Sequence, residues 1–140
     1  MAFAGYLLKL IAANGTKTEI SLKYIRYDTY SVERNVMDLD PTRDLAGQLH
    51  RNPLSHTADK VEFETPSMDN TQVQALMSII RAKYRNPLEK DVMLEYYEPE
   101  SDSYKTGHFY VPDINFKMRN VDSAHNKINY DQIRIAFIEY

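Results

Sequence analysis

Residues 91–111 read DVMLEYYEPESDSYKTGHFYV, and this pattern predicts a β-hairpin. Aromatic and β-branched residues, which favour strands, are frequent in Asp91–Tyr97 and Tyr104–Val111. Between these two segments, residues 98–103 form an acidic stretch with a proline, which is typical of a turn. Because strands joined by a short turn pair in opposite directions, this part of the chain predicts an antiparallel sheet.

Further strands are predicted on both sides of this hairpin. Tyr6–Ala12 and Thr18–Leu22 flank an Asn-Gly dipeptide at residues 14–15, which favours a tight hairpin turn. The remaining predicted strands are Tyr24–Asp38 (with a break near Asp28), Asp59–Thr65, Ile114–Val121 and Lys127–Tyr140. The last segment is apolar on both faces near its end, which indicates a strand in the interior of a sheet.

One helix is predicted, over Thr71–Tyr84. Its apolar residues recur at helical spacing and form one stripe: Val73, Leu76, Met77, Ile80 and Tyr84. Asp69 or Asn70 is expected to cap the first N–H groups, and Asn86-Pro87 is expected to end the helix. The helix should therefore cover one face of a sheet.

A long loop is predicted over Leu39–His56, between two predicted strands. Pro41, Gly47 and Pro53 interrupt this segment, and its charges are mixed. Loops longer than about 12–15 residues are uncommon in compact domains and are usually functional or disordered. The pattern predicts an extended, mobile hairpin arm.

These elements predict a single domain over residues 1–140 of mainly β (α+β) class. The expected architecture is an antiparallel β-sandwich or partly open barrel, with one flanking α-helix and the long hairpin loop. Lys9 interrupts the apolar run at Tyr6–Ile11, which is also too short to span a bilayer. A first strand, and not a signal peptide or a membrane anchor, is therefore expected there.

The composition argues against several functional classes. The chain has no cysteine, which excludes disulfides, thiolate metal sites and cysteine nucleophiles and fits folding in a reducing cytosol. Its formal net charge of −3 lacks the basic surplus of a typical nucleic-acid-binding domain. Eleven tyrosines favour strands and interfaces, because the tyrosine ring is apolar and its hydroxyl can form hydrogen bonds.

No catalytic arrangement is recognisable in the sequence, so neither an enzyme nor a cofactor is expected. The histidines are His50, His56, His108 and His125, and they form a zinc or iron site only if the fold gathers three of them. Carboxylates alternate at Asp38/Asp40, Glu62/Glu64 and Glu98/Glu100, where a solvent-exposed or subunit surface is the simpler interpretation. No serine lies in a nucleophile motif, and the glycines form no phosphate-binding loop.

A ligand-binding β-barrel for carbohydrate or single-stranded nucleic acid is the alternative hypothesis. Tyr24, Tyr27 and Tyr30 lie among basic residues, and tyrosine with arginine can stack on bases. The basic residues are Lys23, Arg26, Arg34, Arg43 and Arg51. The acidic total charge favours the other interpretation, in which these tyrosines fill a strand pair and its interface.

Several segments resemble small structural proteins encoded in the tail modules of bacteriophages and of prophages of Gram-positive bacteria. The segments that carry the resemblance are Ala4–Lys9, Tyr30–Val36, the long loop, Lys60–Pro66, the single helix and Ile133–Phe137. The overall layout is similar to the tail-tube and distal-tail (baseplate hub) group. The likeness covers nearly the whole chain and contains no catalytic signature.

The resemblance implies a virion protein, made in the bacterial host cytoplasm, that forms hexameric rings in the tail. Stacked rings would enclose the conduit for DNA, which only passes through the lumen. The expected partners are further copies and adjacent tail proteins, such as tube, tape-measure or baseplate hub components. The long hairpin would carry the assembly contacts, through Asp40, Arg43, Asp44, Leu45, Leu49, Arg51 and Leu54.

Overall fold

The computed structural model describes residues 3–38, 42–43, 45–50 and 53–140, with the backbone alone at 34–38, 42–43, 49–50 and 53–57. The strands are β1 (Leu8–Ile11), β2 (Lys17–Glu19), β3 (Ser31–Asp38), β4 (Thr42–Arg43), β5 (Leu49–His50), β6 (Pro53–Glu64), β7 (Met68–Asp69), β8 (Asp91–Glu98), β9 (Ser103–Tyr110), β10 (Met118–Asp122), β11 (Lys127–Tyr130) and β12 (Arg134–Glu139). The helix α1 spans Asn70–Arg81, and two 3₁₀ helices span Leu22–Tyr24 and Tyr27–Thr29.

The strands in the described part of the chain form three antiparallel sheets. The main sheet has seven strands in the order β2-β1-β8-β9-β12-β6-β3. A three-stranded sheet has the order β10-β11-β7, and β4 pairs with β5. The main sheet is not closed into a barrel, because its end strands β2 and β3 do not pair with each other. The predicted fold class, an antiparallel β-rich domain with one flanking helix, is confirmed.

The main sheet is strongly curved. Three pairing steps separate β8 from β6, so a flat sheet would hold these strands roughly 14 Å apart. Nevertheless, the hydroxyl of Tyr96 on β8 donates a hydrogen bond to Oδ2 of Asp59 on β6 at 2.5 Å. Similarly, the hydroxyl of Tyr30, next to β3, donates to the carbonyl of Tyr97 at 2.7 Å. The two halves of the sheet therefore face each other around a shared core.

Alternate residues of the main sheet fill this core. The fully buried strand residues include Leu8, Leu10, Val61, Phe63, Val92, Leu94, Phe109, Ile135 and Phe137. The helix closes the core with the stripe predicted from the sequence, of which Val73, Leu76, Met77 and Ile80 are buried. Among the described residues, no helix is long and apolar enough to cross a membrane.

The helix begins at Asn70, one residue before the predicted start, and ends earlier than predicted. Asp69 is its N-cap and forms a capping box with Gln72, in which each side chain accepts a hydrogen bond from the other residue's N–H. The helix ends at Arg81 instead of Tyr84. After Arg81 the hydrogen bonds tighten, and the N–H of Tyr84 donates to the Arg81 carbonyl. The N–H of Arg85 then bonds to the carbonyl of Asp91, which ties the chain to β8.

The prediction of one long strand over Tyr24–Asp38 is wrong in its first half. The two 3₁₀ helices occupy that half, and regular pairing begins only at Ser31. The expected break near Asp28 falls within the second 3₁₀ helix. The physical reason is local, because the Thr29 hydroxyl bonds to the Arg26 carbonyl at 2.6 Å and accepts a bond from the Glu64 N–H at 2.9 Å.

The last two predicted strands are also shorter than expected. Residues 112–117 form no strand, and β10 begins at Met118. The segment predicted as one strand over Lys127–Tyr140 divides into β11 and β12, which belong to different sheets. At the division, Thr65 and Ile133 exchange two hydrogen bonds, one of them through the Thr65 hydroxyl. The predicted interior position of the final strand is confirmed, because β12 lies between β9 and β6.

A candidate assembly surface

The described residues of the segment predicted as a long loop belong to a β-hairpin arm, defined here as residues 31–64. β3 and β6 pair from Ser31 opposite Glu62 as far as Asp38 opposite Pro53. Beyond them, β4 and β5 continue the hairpin. The strand predicted to begin at Asp59 therefore begins at Pro53, inside the predicted loop. The described part of the arm is mostly paired backbone, which favours a projection of defined direction.

The structure places four of the seven predicted assembly residues along this arm. Leu45 lies in the turn at the tip with a fully exposed side chain, and residues 46–48 beside it are exposed as well. Arg43 and Leu49 lie opposite each other on β4 and β5, and Leu54 lies on β6. Asp40, Asp44 and Arg51 lie outside the described residues. The contacts predicted for these seven residues remain predictions.

A buried polar cluster lies where the arm joins the main sheet. Asp59 is 2% exposed, and its Oδ2 accepts the hydrogen bond from Tyr96. Its backbone N–H donates to Oε1 of Glu139 at 3.0 Å. Oδ1 of Asp59 has no hydrogen-bond partner in the structure as described. Glu98, also 2% exposed, pairs with Lys105. Burial and the Asp59 hydrogen bond raise the pKa of Tyr96, so its hydroxyl remains a donor.

Strand periodicity explains how these polar groups come together. Asp59 lies two residues before Val61 and four before Phe63. Because alternate residues of a strand point to the same face, Asp59 continues the inward face of β6. Likewise, Glu139 continues the inward face of β12, and Tyr96 that of β8. Sequence reasoning did not identify this cluster, because aspartate and glutamate are rarely buried. The alternation of residues along each strand nevertheless places these side chains on the inward face.

Gly107 makes room for the cluster. It lies on β9, and a Cβ atom at this position would lie 2.5 Å from Oε2 of Glu139 and 2.8 Å from the ring of Phe109. The Glu139 carboxylate thus occupies the space that a side chain at position 107 would need. The cluster at the base of the arm depends on this glycine as well as on its charged members.

A second cluster attaches the N-terminal segment to the β8–β9 hairpin. The Tyr6 hydroxyl donates to Glu95, which also pairs with Lys17 at 2.5 Å. The Tyr6 ring stacks on Tyr104 with 4.5 Å between ring centroids, and the Tyr104 hydroxyl donates to the Tyr6 carbonyl at 2.7 Å. The hydrogen bond to Glu95, with a contribution from burial, raises the pKa of Tyr6 to about 12.

This shift gives a pH prediction. Because the pKa of Tyr6 is raised above its unfolded value of about 10, the interaction stabilises the fold below pH 10 and is lost as the pH rises through about 12. In Glu95→Gln the pKa of Tyr6 should fall towards 10. The measurement is the ultraviolet titration of tyrosinate, taken as the difference between each protein and its Tyr6→Phe counterpart. An unchanged Tyr6 titration in Glu95→Gln would contradict the assignment.

The other candidate chemical groups make local contacts with aspartates. His108 contacts Asp91 at 2.8 Å, and His125 contacts Asp122 at 2.8 Å. The side chains of His50 and His56 lie outside the described atoms. Where side chains are described, no group of three or more histidine, aspartate or glutamate residues is arranged to hold a metal ion.

The alternating carboxylates of β6 are also engaged with basic groups. Glu62 pairs with Arg134 and lies 3.7 Å from Lys60. Glu64 lies 3.8 Å from Arg26. These residues form a charged outer face of the sheet, as the simpler interpretation predicted.

The tyrosines considered for ligand stacking do not form one exposed surface. Tyr24 is 6% exposed and belongs to the core. Tyr30 packs against the core and donates its hydroxyl to the Tyr97 carbonyl. Only Tyr27 of the three is largely exposed, at 72%. The positions of Tyr24 and Tyr30 agree with the interpretation that the tyrosines fill space inside the fold, whereas the exposed Tyr27 does not.

Comparison with known proteins adds to this geometry. No curated protein matches the sequence. The chain is similar to a chain in a solved structure described as "Tail of empty GTA particle computed with helical refinement, C6 symmetry". The TM-score is 0.56 at 15% sequence identity, and the match covers 99% of this chain and 95% of that chain, so the likeness is one of fold. A model of the family of unknown function DUF6711 matches residues 1–140, and the chain therefore belongs to that family.

Proposed function

We propose that this chain is a non-enzymatic structural protein of a phage or phage-like tail. Its copies form rings, with six subunits as the expected number, in the tail tube or the baseplate hub. The rings enclose the conduit through which DNA passes. The observation that carries the proposal is the shared fold, over nearly the full length of both chains, with a component of a C6-symmetric tail structure.

The arm supports the assembly role. A hairpin that extends beyond its own core, with a fully exposed leucine at its tip, offers apolar surface that a monomer leaves in water. We assign the contacts between subunits to Asp40, Arg43, Asp44, Leu45, Leu49, Arg51 and Leu54. The adjacent partners in the particle would be other tail proteins, such as tube, tape-measure or baseplate hub components.

The open edges of the main sheet also favour association. β2 and β3 end the sheet, and unpaired edges readily pair with another chain. In a ring, these edges of the single domain over residues 1–140 would lie at subunit boundaries. The protein would function in the virion tail after synthesis in the host cytoplasm.

The experiment that tests the proposal is the mass of the purified protein across a concentration series, with negative-stain imaging of large species. A closed ring of six copies has six times the 16.4 kDa mass of the chain. We expect a discrete ring species or tubes at high protein concentration. A strict monomer at every concentration would contradict self-assembly and would make a ligand screen the next step.

A further inference from the structure

A groove lies between helix α1 and the segment that follows β9, residues 111–118. It consists of two cavities of about 280 and 300 Å³. The cavities adjoin each other, because Met77, Arg81 and Phe116 line both of them. We call these two cavities together the helix groove.

The helix groove leaves apolar side chains in contact with water. Phe116 is 42% exposed and Met118 is 54% exposed. Both line the larger cavity, next to Val73 and Met77 of the helix. Exposed apolar side chains that cluster at a concave surface are typical of a site where a partner docks. The groove therefore has the apolar character of a binding site, and its charges indicate the kind of occupant.

The charge in the helix groove is positive. Arg81 lines both cavities, and among the described residues its guanidinium group donates only to neutral acceptors. These are the Gln74 side chain at 2.9 Å and the Met77 carbonyl at 3.3 Å. Lys90 lines the smaller cavity, where Asp113 pairs with it at 3.1 Å. One positive charge is thus left without an acidic partner in the described lining, so an occupant that carries a carboxylate is complementary to the groove.

The segment beside the groove also offers backbone hydrogen-bonding groups. β9 ends at Tyr110 and β10 begins at Met118, and residues 112–117 belong to no strand. The backbone groups of residues 113–116 make no hydrogen bond to any described residue. An extended peptide can pair with such a segment and place its alternate side chains in pockets beside it.

The spacing of the two cavities fits alternate side chains of an extended peptide. On the helix, the larger cavity begins at Val73 and the smaller one at Met77, one turn further on. This is an offset of about 5–6 Å along the helix axis. Side chains two residues apart on an extended chain are separated by about 6.5–7 Å. Two apolar side chains with one residue between them would therefore fill the two cavities.

We propose that the helix groove binds an extended, acidic peptide segment of another protein. Two apolar side chains of this segment fill the cavities, and an adjacent aspartate or glutamate pairs with Arg81. The backbone of the segment pairs with residues 113–116. Because the groove lies within one subunit, this inference goes beyond the proposed function and requires no ring. The contribution of the exposed Arg81 should weaken as salt shortens the screening length.

The probe for this inference is a displayed library of random octapeptides, selected on the immobilised full chain. The enriched peptides should contain two apolar residues separated by one position, with an acidic residue next to them. A parallel selection on Arg81→Glu should enrich lysine or arginine in place of the acidic residue, because the charge of the groove is reversed. A merely structural effect of the substitution would weaken selection without this exchange of charge.

Fluorescence anisotropy then measures the affinity of one enriched peptide. Arg81→Glu and Phe116→Ala should each weaken its binding about tenfold or more. Lys127→Glu is the matched control, since this lysine is exposed on β11 and does not line the groove. The control should bind the peptide like the unchanged protein. Thermal unfolding followed by circular dichroism verifies that each variant is folded.

Three results would overturn the inference: no common pattern among the enriched peptides, enrichment of apolar peptides without an acidic residue, or an affinity that Arg81→Glu and Phe116→Ala leave unchanged. Loss of ring formation in folded Phe116→Ala would assign the groove to a second copy of this chain and would also overturn it. A chain that binds the peptides as expected but forms no rings would support this inference and refute the proposed function.

Discussion

A chain in which Asn-Gly replaces residues 36–57 should fold normally and form no rings. Asn35 and Ala58 lie opposite each other on β3 and β6, so a two-residue turn can join them. The buried core residues that the structure describes all lie outside the deleted segment. The deletion therefore removes the proposed assembly contacts and leaves the core intact. Folding should be retained, and assembly should be lost.

Two measurements separate these outcomes. Thermal unfolding followed by circular dichroism should show a cooperative transition close to that of the full chain. The mass of the deleted chain should remain that of a monomer at concentrations where the full chain forms rings. Replacing residues 123–126 with Asn-Gly, between the paired residues Asp122 and Lys127, is the matched control and should leave assembly unchanged. Ring formation by the arm-deleted chain would refute the role of the arm.

The arm also illustrates what a sequence can and cannot indicate. Flanking alternation predicted a hairpin because Val61 and Phe63 recur with period two and face the core. The same rule did not detect pairing in residues 42–43 and 49–50, where short strands interrupted by turn residues show no periodicity. Whether a polar segment is paired depends on its partner strand, which single-sequence patterns do not encode.

The sequence also did not indicate which sheet each of the last two strands, β11 and β12, belongs to. Lys127–Tyr140 has continuous β character, yet β11 pairs with β7 and β10 while β12 pairs with β6 and β9. The chain changes sheets at Asp131–Ile133, because Thr65 bonds to Ile133 through both its backbone and its hydroxyl. That contact joins residues far apart in sequence, so local propensity could not indicate it. Helix α1 was predictable because its cap and its apolar stripe are local features.

The polar cluster beneath the arm was missed for a related reason. Its members lie at the inward positions of three strands, and the curvature of the sheet brings Tyr96 of β8 to Asp59 and Glu139 on the neighbouring strands β6 and β12. Sequence parity places Asp59 on the core face of β6, but the Tyr96 hydroxyl that compensates its burial lies on β8. The energetic importance of the cluster is therefore best tested by removing one partner at a time.

Tyr96→Phe should reduce the free energy of unfolding by about 1–3 kcal/mol, because it leaves Oδ2 of buried Asp59 without its donor. The phenylalanine ring would keep the edge-to-face contact with Phe109, so the hydroxyl is the main loss. Urea unfolding at neutral pH gives the free energy. Tyr97→Phe is the matched control, since its hydroxyl bond to Asp102 is exposed and its loss should cost much less than the loss of the Tyr96 hydroxyl.

A double-mutant cycle tests whether the loss comes from the unpaired carboxylate. Asp59→Leu removes the buried acceptor and its charge, so adding Tyr96→Phe to that background leaves no carboxylate without a donor. The second substitution should then cost much less than it does in the unchanged protein, which gives a coupling energy of about 1 kcal/mol or more. Additive effects would show that Tyr96 acts through packing alone. The base of the arm would then be held by the β3–β6 pairing, and not by the cluster beneath it.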